Sequence, residues 1–208
     1  MSSVQQHTEK AAMRIKQLVM PGECYASWQP AEISTLLGSC VAACLYDKRL
    51  NIGGMNHFML PDSPEPVRAE LAASAQPAMP HSLTSSAPFC YGLAAMQKLI
   101  EDLMQMGAKR EHLVAKVFGG ANMTDCNTLA HIGKRNCEFV MRFLQQEGIR
   151  LCAADLGGVT SRRVRFYTDT GAVRVYNLPV ANLRVLEQEK QYHLKMRKGP
   201  DGHVTQYS

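Results

Sequence analysis

The sequence lacks the features of several protein classes. No apolar run reaches the roughly 18 residues that a membrane-spanning helix needs, so we expect no membrane insertion. Residues 1–10 are polar and lack the apolar core of a signal peptide, which predicts a cytoplasmic protein. The glycine-rich fingerprints of nucleotide-binding loops are missing as well, and we expect no cofactor of that kind.

Cysteine, aromatic and charge usage exclude further classes. The seven cysteines are an odd number without the spacing of a disulfide framework, as is typical of a reducing compartment. No CxxC pair occurs, and Cys40 and Cys44 have no pair of histidines close by, so we predict no metal. Aromatic residues make up 7% of the chain, and the basic residues behind its net charge of +5 are dispersed, so we expect no nucleic-acid partner.

What is present predicts one domain with tails. A hydrophobic content of 46% in 208 residues is enough for a packed core. We expect an N-terminal arm over residues 1–20, a domain over 21–180 and a charged C-terminal tail over 181–208. Within the domain, residues 62–88 are rich in Pro, Ala and Ser, a composition that predicts a flexible loop.

Hydrophobic periodicity predicts an α+β fold in which strands outnumber helices. Two amphipathic patterns predict helices over 89–106 and 132–147, the first stopped by Gly107 and the second by Gly148. Residues 125–130 between the strand and the second helix are expected to be a polar connection. Strands are predicted over 23–28, 112–118, 149–154 (buried), 162–167 and 172–178, the last two as a hairpin.

The stretch from Ser34 to Pro61 organises the rest of the chain. Val41–Tyr46 and Gly53–Leu60 are apolar runs on either side of a polar turn, which indicates a β-hairpin. If the hairpin is symmetric about the Lys48–Arg49 link, Cys40 lies directly opposite His57. Their Cβ atoms would then be about 5 Å apart, close enough for a thiol and an imidazole to share a proton.

A thiol beside an imidazole is the pattern of a nucleophile beside a base. An adjacent imidazolium stabilises the reactive thiolate, and backbone N–H groups at the Gly38–Ser39 turn can hold an oxyanion. A hydroxyl of Ser34 or Thr35 can orient the imidazole. The alternative is a half-buried strand in which Cys40 is only a small apolar side chain.

Several motifs resemble those of the CheD family, the chemoreceptor glutamine deamidases of bacterial chemotaxis. The likeness runs from about Met20 to Leu178, with the motifs in the family's order. They are LLGSCV (36–41), GGMNHFMLP (53–61), KVFGGANM (116–123), IGKRN (132–136), ADLGG (154–158) and FYTDTG (166–171).

The resemblance implies a function and a site. Cys40 would be the nucleophile, His57 the base and Thr35, with Ser34 as the alternative, the third catalytic residue. Gly38 and Ser39 would contact the substrate, together with Gly119 and Gly120, which lie near the active site in the family; a simple tight turn is the alternative for that glycine pair.

The resemblance also implies architecture and partners. We expect a mixed or antiparallel β-sandwich-like core with two long helices packed on it, related to the toxin deamidases. The expected partners are methyl-accepting chemotaxis receptors and, in some bacteria, a CheC-type phosphatase. Two other functions stay open: a different thiol hydrolase, such as a peptidase or a receptor methylesterase, and a non-catalytic adaptor that binds receptors or the phosphatase.

Overall fold

The computed structural model describes residues 14–60, 91–122 and 127–178. The loop expected at 62–88, the tail expected at 181–208 and residues 1–13 of the expected arm lie outside these ranges. No helix in the described part of the chain is long and apolar enough to cross a membrane.

The described residues form an α+β fold of nine strands and two α-helices, as the periodicity predicts. In chain order the elements are β1 (Ile15–Leu18), β2 (Cys24–Ser27), β3 (Ala31–Leu37), β4 (Val41–Asp47), β5 (Ile52–Asn56), α1 (Gly92–Gln105), β6 (Leu113–Gly119), α2 (Asn127–Gln146), β7 (Arg150–Leu156), β8 (Arg162–Tyr167) and β9 (Val173–Asn177). A short 3-10 turn, Arg110–His112, precedes β6.

The strands form two mixed sheets. One has the order β1-β3-β8-β9 and the other the order β2-β5-β4-β6-β7. Pairing is antiparallel except between β1 and β3 and between β6 and β7. The β6–α2–β7 segment is the crossover that a parallel neighbour requires, because a tight turn cannot join parallel strands.

Two apolar layers hold these elements together. One cluster joins the five-stranded sheet to both helices, and the other lies between the two sheets. Strand β4 is buried along its whole length because it has a cluster on each face. Val41, Ala43 and Leu45 point to the helices, while Ala42 and Cys44 point to the other sheet, following the two-residue period of a strand.

The β4–β5 hairpin is present, but the predicted register is wrong. Val41 pairs with Phe58 through two backbone hydrogen bonds of 3.0 Å, whereas the predicted register placed Cys40 opposite His57. The two registers differ by two residues. Since side chains alternate with a period of two, each residue of the hairpin keeps its predicted face of the sheet.

The turn explains the difference in register. The Asp47 carboxylate accepts a hydrogen bond from the Arg49 backbone, and Asn51 closes the turn in the left-handed region with φ of 54°. Asparagine tolerates this conformation better than most residues. The second strand consequently begins with Ile52 opposite Asp47, whereas the symmetric register would place Leu50 there, two residues earlier.

Other boundaries also differ from the predictions. Ile15–Leu18, within the expected arm, is a strand that pairs with β3. Helix α2 begins at Asn127, inside the expected polar connection. Strand β7 was predicted to be buried but is mostly exposed, because it is the edge of its sheet.

Strand β3 was not predicted as an element, although its sequence alternates clearly. Ala31, Ile33, Thr35 and Leu37 are buried and the residues between them are half-buried. The threonine interrupts an otherwise apolar inner face. That interruption is the first structural indication of a polar site between the sheets.

A contact between the sheets predicts an unequal response of two glycines to substitution. Gly171, in the β8–β9 turn, has φ of 66°, accepts a 2.7 Å hydrogen bond from Lys116 and would place a Cβ 2.5 Å from the Tyr46 ring. Gly148 has φ of 65° with no atom within 4 Å of its Cβ position. Gly148→Ala should therefore lower the free energy of unfolding by about 1 kcal/mol and Gly171→Ala by about 2–4 kcal/mol. Urea denaturation measures both, and equal losses would contradict the contact.

Candidate active site

A hydrogen bond between the two sheets forms the centre of the site. The Oγ1 atom of Thr35, on the inner face of β3, lies 2.8 Å from Nδ1 of His57, which follows β5. The same Oγ1 donates to the carbonyl of Val19 at 2.7 Å. Thr35 is 1% exposed and His57 is 2% exposed, so both side chains are removed from water.

The hydroxyl group determines which nitrogen of the imidazole carries the proton. A threonine hydroxyl has one hydrogen, and the Val19 carbonyl, which only accepts, takes it. The Thr35 oxygen must therefore accept from Nδ1–H of His57. Its Nε2 atom then presents a lone pair, and this atom is buried with no hydrogen-bond partner among the described residues.

Burial keeps the imidazole neutral. Desolvation lowers the pKa of His57 to about 4, and a backbone hydrogen bond at Val19 opposes this effect only in part. A neutral imidazole with a free lone pair is a general base. In the resting site His57 is thus neutral, whereas the sequence led us to expect an imidazolium beside a thiolate.

The pairing of the strands places Cys40 on the same face as His57. When the register of the Val41–Phe58 pair is continued by one residue, Cys40 lies opposite Met59 and diagonal to His57. Diagonal Cβ atoms in an antiparallel pair are about 7 Å apart, within reach of a long side chain such as an imidazole. Cys40 is fully buried in the cluster between the sheets.

The predicted glycine pair supports the turn that carries Cys40. The N–H of Gly120 donates to the Cys40 carbonyl at 2.7 Å. A Cβ on Gly119 would lie 2.2 Å from that same carbonyl oxygen, so only glycine permits the close approach. Gly119 and Gly120 are therefore packed against the backbone of Cys40.

The other two predicted substrate-contact residues, Gly38 and Ser39, form the turn that precedes Cys40. The Gly38 carbonyl accepts from the N–H of Ala121 at 2.7 Å. Ser39 is buried, and its carbonyl accepts from the side chain of Asn136 at 3.0 Å. The structure thus brings Thr35, Gly38, Ser39, Cys40, His57, Gly119 and Gly120 to one region.

The structure separates the two candidates for the third role. Thr35 contacts His57, whereas Ser34 is on the outer face of β3 and its hydroxyl lies 3.5 Å from the Gln17 carbonyl. Asp155, which has the carboxylate needed to orient a histidine, instead binds Arg162 at 2.9 Å.

The sequence did not identify two residues that contribute to the site, Val19 and Asn136. Val19 acts through its backbone carbonyl, which leaves no trace in residue identity. Asn136 was recognised only as part of the IGKRN motif. An asparagine on the apolar face of an amphipathic helix was the signal that could have singled it out.

Comparisons with known proteins agree with the resemblance. A family model described as CheD chemotactic sensory transduction matches residues 59–177. A protein of Shewanella oneidensis named "Probable chemoreceptor glutamine deamidase CheD 1" is 42% identical over 197 residues, which is 94% of this chain and 87% of that protein. A protein of Thiobacillus denitrificans named "Probable chemoreceptor glutamine deamidase CheD" is 42% identical over 180 residues, covering 86% of this chain and 82% of its own.

The extent of each match decides whether it includes the residues of the site. The family model begins after Cys40 and His57, but an alignment over 94% of the chain necessarily includes residues 35–57. That alignment is also longer than the stretch from Met20 to Leu178 on which the resemblance was based.

The buried imidazole predicts a loss of stability in acid. Its pKa is about 4 in the native state and about 6.5 when unfolded, so the unfolded chain binds an extra proton between these values. The free energy of unfolding should therefore fall by up to roughly 3 kcal/mol as the pH drops from 6.5 to 4. His57→Asn removes this group and should flatten the pH dependence in urea titrations at several pH values. An unchanged dependence in that variant would contradict the assignment.

The contact at Thr35 predicts which hydroxyl supports thiol reactivity. Thr35→Val should slow the alkylation of Cys40 by iodoacetamide about tenfold or more, because the base loses its orientation. Thr35→Ser keeps the hydroxyl and should retain most of the rate, and Ser34→Ala should leave it unchanged. Mass spectrometry of the Cys40 peptide measures the rate; a larger effect at Ser34 would contradict the assigned contact.

Proposed function

The chain belongs to the CheD family, and from that premise we propose that it deamidates glutamine side chains of methyl-accepting chemoreceptors. The observation that carries the proposal is the Thr35–His57 hydrogen bond, which leaves Nε2 as a buried lone pair on the face of Cys40. We assign Cys40 as nucleophile, His57 as general base and acid, and Thr35 as the third catalytic residue.

The reaction follows from these roles. Nε2 of His57 removes the thiol proton, and the sulfur of Cys40 attacks the carboxamide carbon, whose oxygen becomes an oxyanion. The tetrahedral intermediate collapses as Nε2–H gives its proton to the departing nitrogen, so ammonia leaves and a thioester remains. Water, deprotonated by His57, then attacks the thioester, and the products are glutamate and the regenerated thiol.

Thr35 serves both states of the imidazole. In the neutral state it fixes Nδ1–H and directs the Nε2 lone pair. When Nε2 takes the proton, the imidazolium keeps the same bond, and the path from Thr35 to the Val19 carbonyl stabilises the added charge. The oxyanion is proposed to bind backbone N–H groups of the Gly38–Cys40 turn.

The depth of the site favours a side-chain amide as substrate. Cys40 is 0% exposed and His57 is 2% exposed, so the reacting bond has to reach inward from the substrate's surface. A glutamine side chain is thin, unbranched and ends in its carboxamide. A main-chain amide would have to bring its whole backbone to the sulfur, which argues against a peptidase. A methyl ester of glutamate has nearly the same shape, so a methylesterase is the second candidate function.

The proposal also covers the partners of the protein and its location in the cell. We propose chemoreceptors as the substrate proteins and a cytoplasmic location, since a reducing compartment keeps the thiol of Cys40 in the form that the reaction needs. A CheC-type phosphatase partner and a relation to the toxin deamidases remain predictions from the resemblance, as do substrate contacts at Ser39 and at the Gly119–Gly120 pair.

The direct test uses a chemoreceptor cytoplasmic fragment and two matched proteins, the wild type and Cys40→Ala. We expect glutamine-to-glutamate conversion with the wild type and none above background with Cys40→Ala, because the variant has no nucleophile. Peptide mass spectrometry identifies the converted positions. Conversion that persists in Cys40→Ala would refute the catalytic role, and binding without conversion by either protein would favour the adaptor function.

A second substrate separates the two hydrolase functions. The same fragment, methylated at glutamates in place of the glutamines, is offered to the wild type under identical conditions. Faster conversion of the carboxamide supports a deamidase, and faster loss of the methyl ester supports a methylesterase.

A further inference from the structure

We propose that Asn136 is a positioning residue that sets the direction of the Cys40 peptide group toward the substrate. The inference rests on the proposed function and goes beyond it, because Asn136 is assigned a role in the reaction without contact to the reacting atoms.

The contacts of Asn136 join the two chain segments that carry the reacting side chains. Its Nδ2 atom donates to the carbonyl of Ser39 at 3.0 Å and to the carbonyl of Met59 at 2.8 Å. Ser39 directly precedes Cys40, and Met59 follows His57 by two residues. Asn136 itself is 0% exposed, held by helix α2. Both hydrogens of one amide group are therefore used to tie the nucleophile turn to the segment after the base.

The orientation of the amide is fixed by its neighbours. Both partners of Asn136 are carbonyl oxygens, which only accept hydrogen bonds. If the amide were turned over, Oδ1 would face two other oxygens, so Nδ2 has to point toward them. The Oδ1 atom is buried without a hydrogen-bond partner among the described residues, which is unfavourable for folding. The side chain is thus not optimised for stability alone.

The bond to Ser39 controls more than one carbonyl. The carbonyl of Ser39 and the N–H of Cys40 belong to a single planar trans peptide, in which the two groups point in opposite directions. When Asn136 holds the carbonyl on the helix side, the N–H of Cys40 is directed to the other side of the turn. An N–H of the nucleophile itself is a common donor to the oxyanion in acyl transfer.

Neighbouring peptides of the turn are held in the same manner. The Gly38 carbonyl is bound by the N–H of Ala121 and the Cys40 carbonyl by the N–H of Gly120, both at 2.7 Å. The middle carbonyl, that of Ser39, accepts its hydrogen bond from the side chain of Asn136. A substitution at Asn136 therefore alters one peptide plane while the backbone contacts on both sides remain.

The experiment compares hydrolysis with simple thiol reactivity. Asn136→Ala and Asn136→Asp are tested with a chemoreceptor cytoplasmic fragment for kcat and KM, and with iodoacetamide for alkylation of Cys40. Alkylation needs the thiol and His57 but no oxyanion donor. We expect kcat to fall about 10²-fold with KM nearly unchanged, and alkylation to fall far less than kcat.

Thr168→Val is the matched control for lost stability. Thr168 is also 0% exposed, and its hydroxyl links the Ala31 N–H to the Gln29 carbonyl at 2.9 Å each, at the opposite end of β3. We expect it to lower stability while kcat remains near that of the wild type. Asn136→Asp keeps the shape of the native side chain, so a conclusion does not depend on the alanine variant being folded.

A pH profile gives a readout that a merely structural role would not produce. The carboxylate of Asn136→Asp cannot donate to either carbonyl, but its protonated form can donate to one. The ratio of kcat in Asn136→Asp to kcat in the wild type should therefore rise as the pH is lowered. For Asn136→Ala the same ratio should not depend on pH.

The outcomes separate the two proposals. Equal losses of hydrolysis and alkylation, or a kcat for Asn136→Asp equal to that of the wild type at all pH values, would overturn the positioning role and leave the deamidase function standing. Failure of the wild type to convert any glutamine would overturn the proposed function and this inference with it.

Discussion

The structure of the site depends on one hydrogen bond between the sheets, from Nδ1 of His57 to the hydroxyl of Thr35. Its direction is forced by a third group, because the single hydroxyl hydrogen of Thr35 is given to the Val19 carbonyl. The tautomer of the imidazole, and with it the capacity to accept a thiol proton, is thus set by the packing of one sheet on the other.

Burial acts on the same pair in two ways. It removes water from His57, which lowers the pKa of the imidazole to about 4 and keeps it neutral. It also strengthens the few polar contacts present, because the surrounding cluster of apolar side chains has a low dielectric constant. A neutral base and a sheltered thiol are suited to a reaction in which charge develops only after the substrate has entered.

Much of the fold could be predicted because its causes are local. The apolar faces of α1 and α2 follow from helical periodicity, and a glycine marks the end of each helix. The β8–β9 hairpin follows from the alternation of polar and apolar residues around a turn. The exposure of β7 and the start of α2 could not be predicted in this way. The exposure of β7 depends on the order of strands in the sheet, which the local sequence pattern does not contain.

For the site, the sequence by itself determined that Cys40 and His57 share a face of a hairpin, because a two-residue error in register preserves the alternation of side chains. It also limited the candidates for the third catalytic residue to two neighbouring hydroxyl side chains, Ser34 and Thr35. Only the tertiary structure shows which of them contacts His57, because Thr35 lies on a strand of one sheet, His57 follows a strand of the other, and the two meet through packing rather than strand pairing. The same is true of Asn136, whose helix reaches the Cys40 turn only after the sheets and helices have assembled.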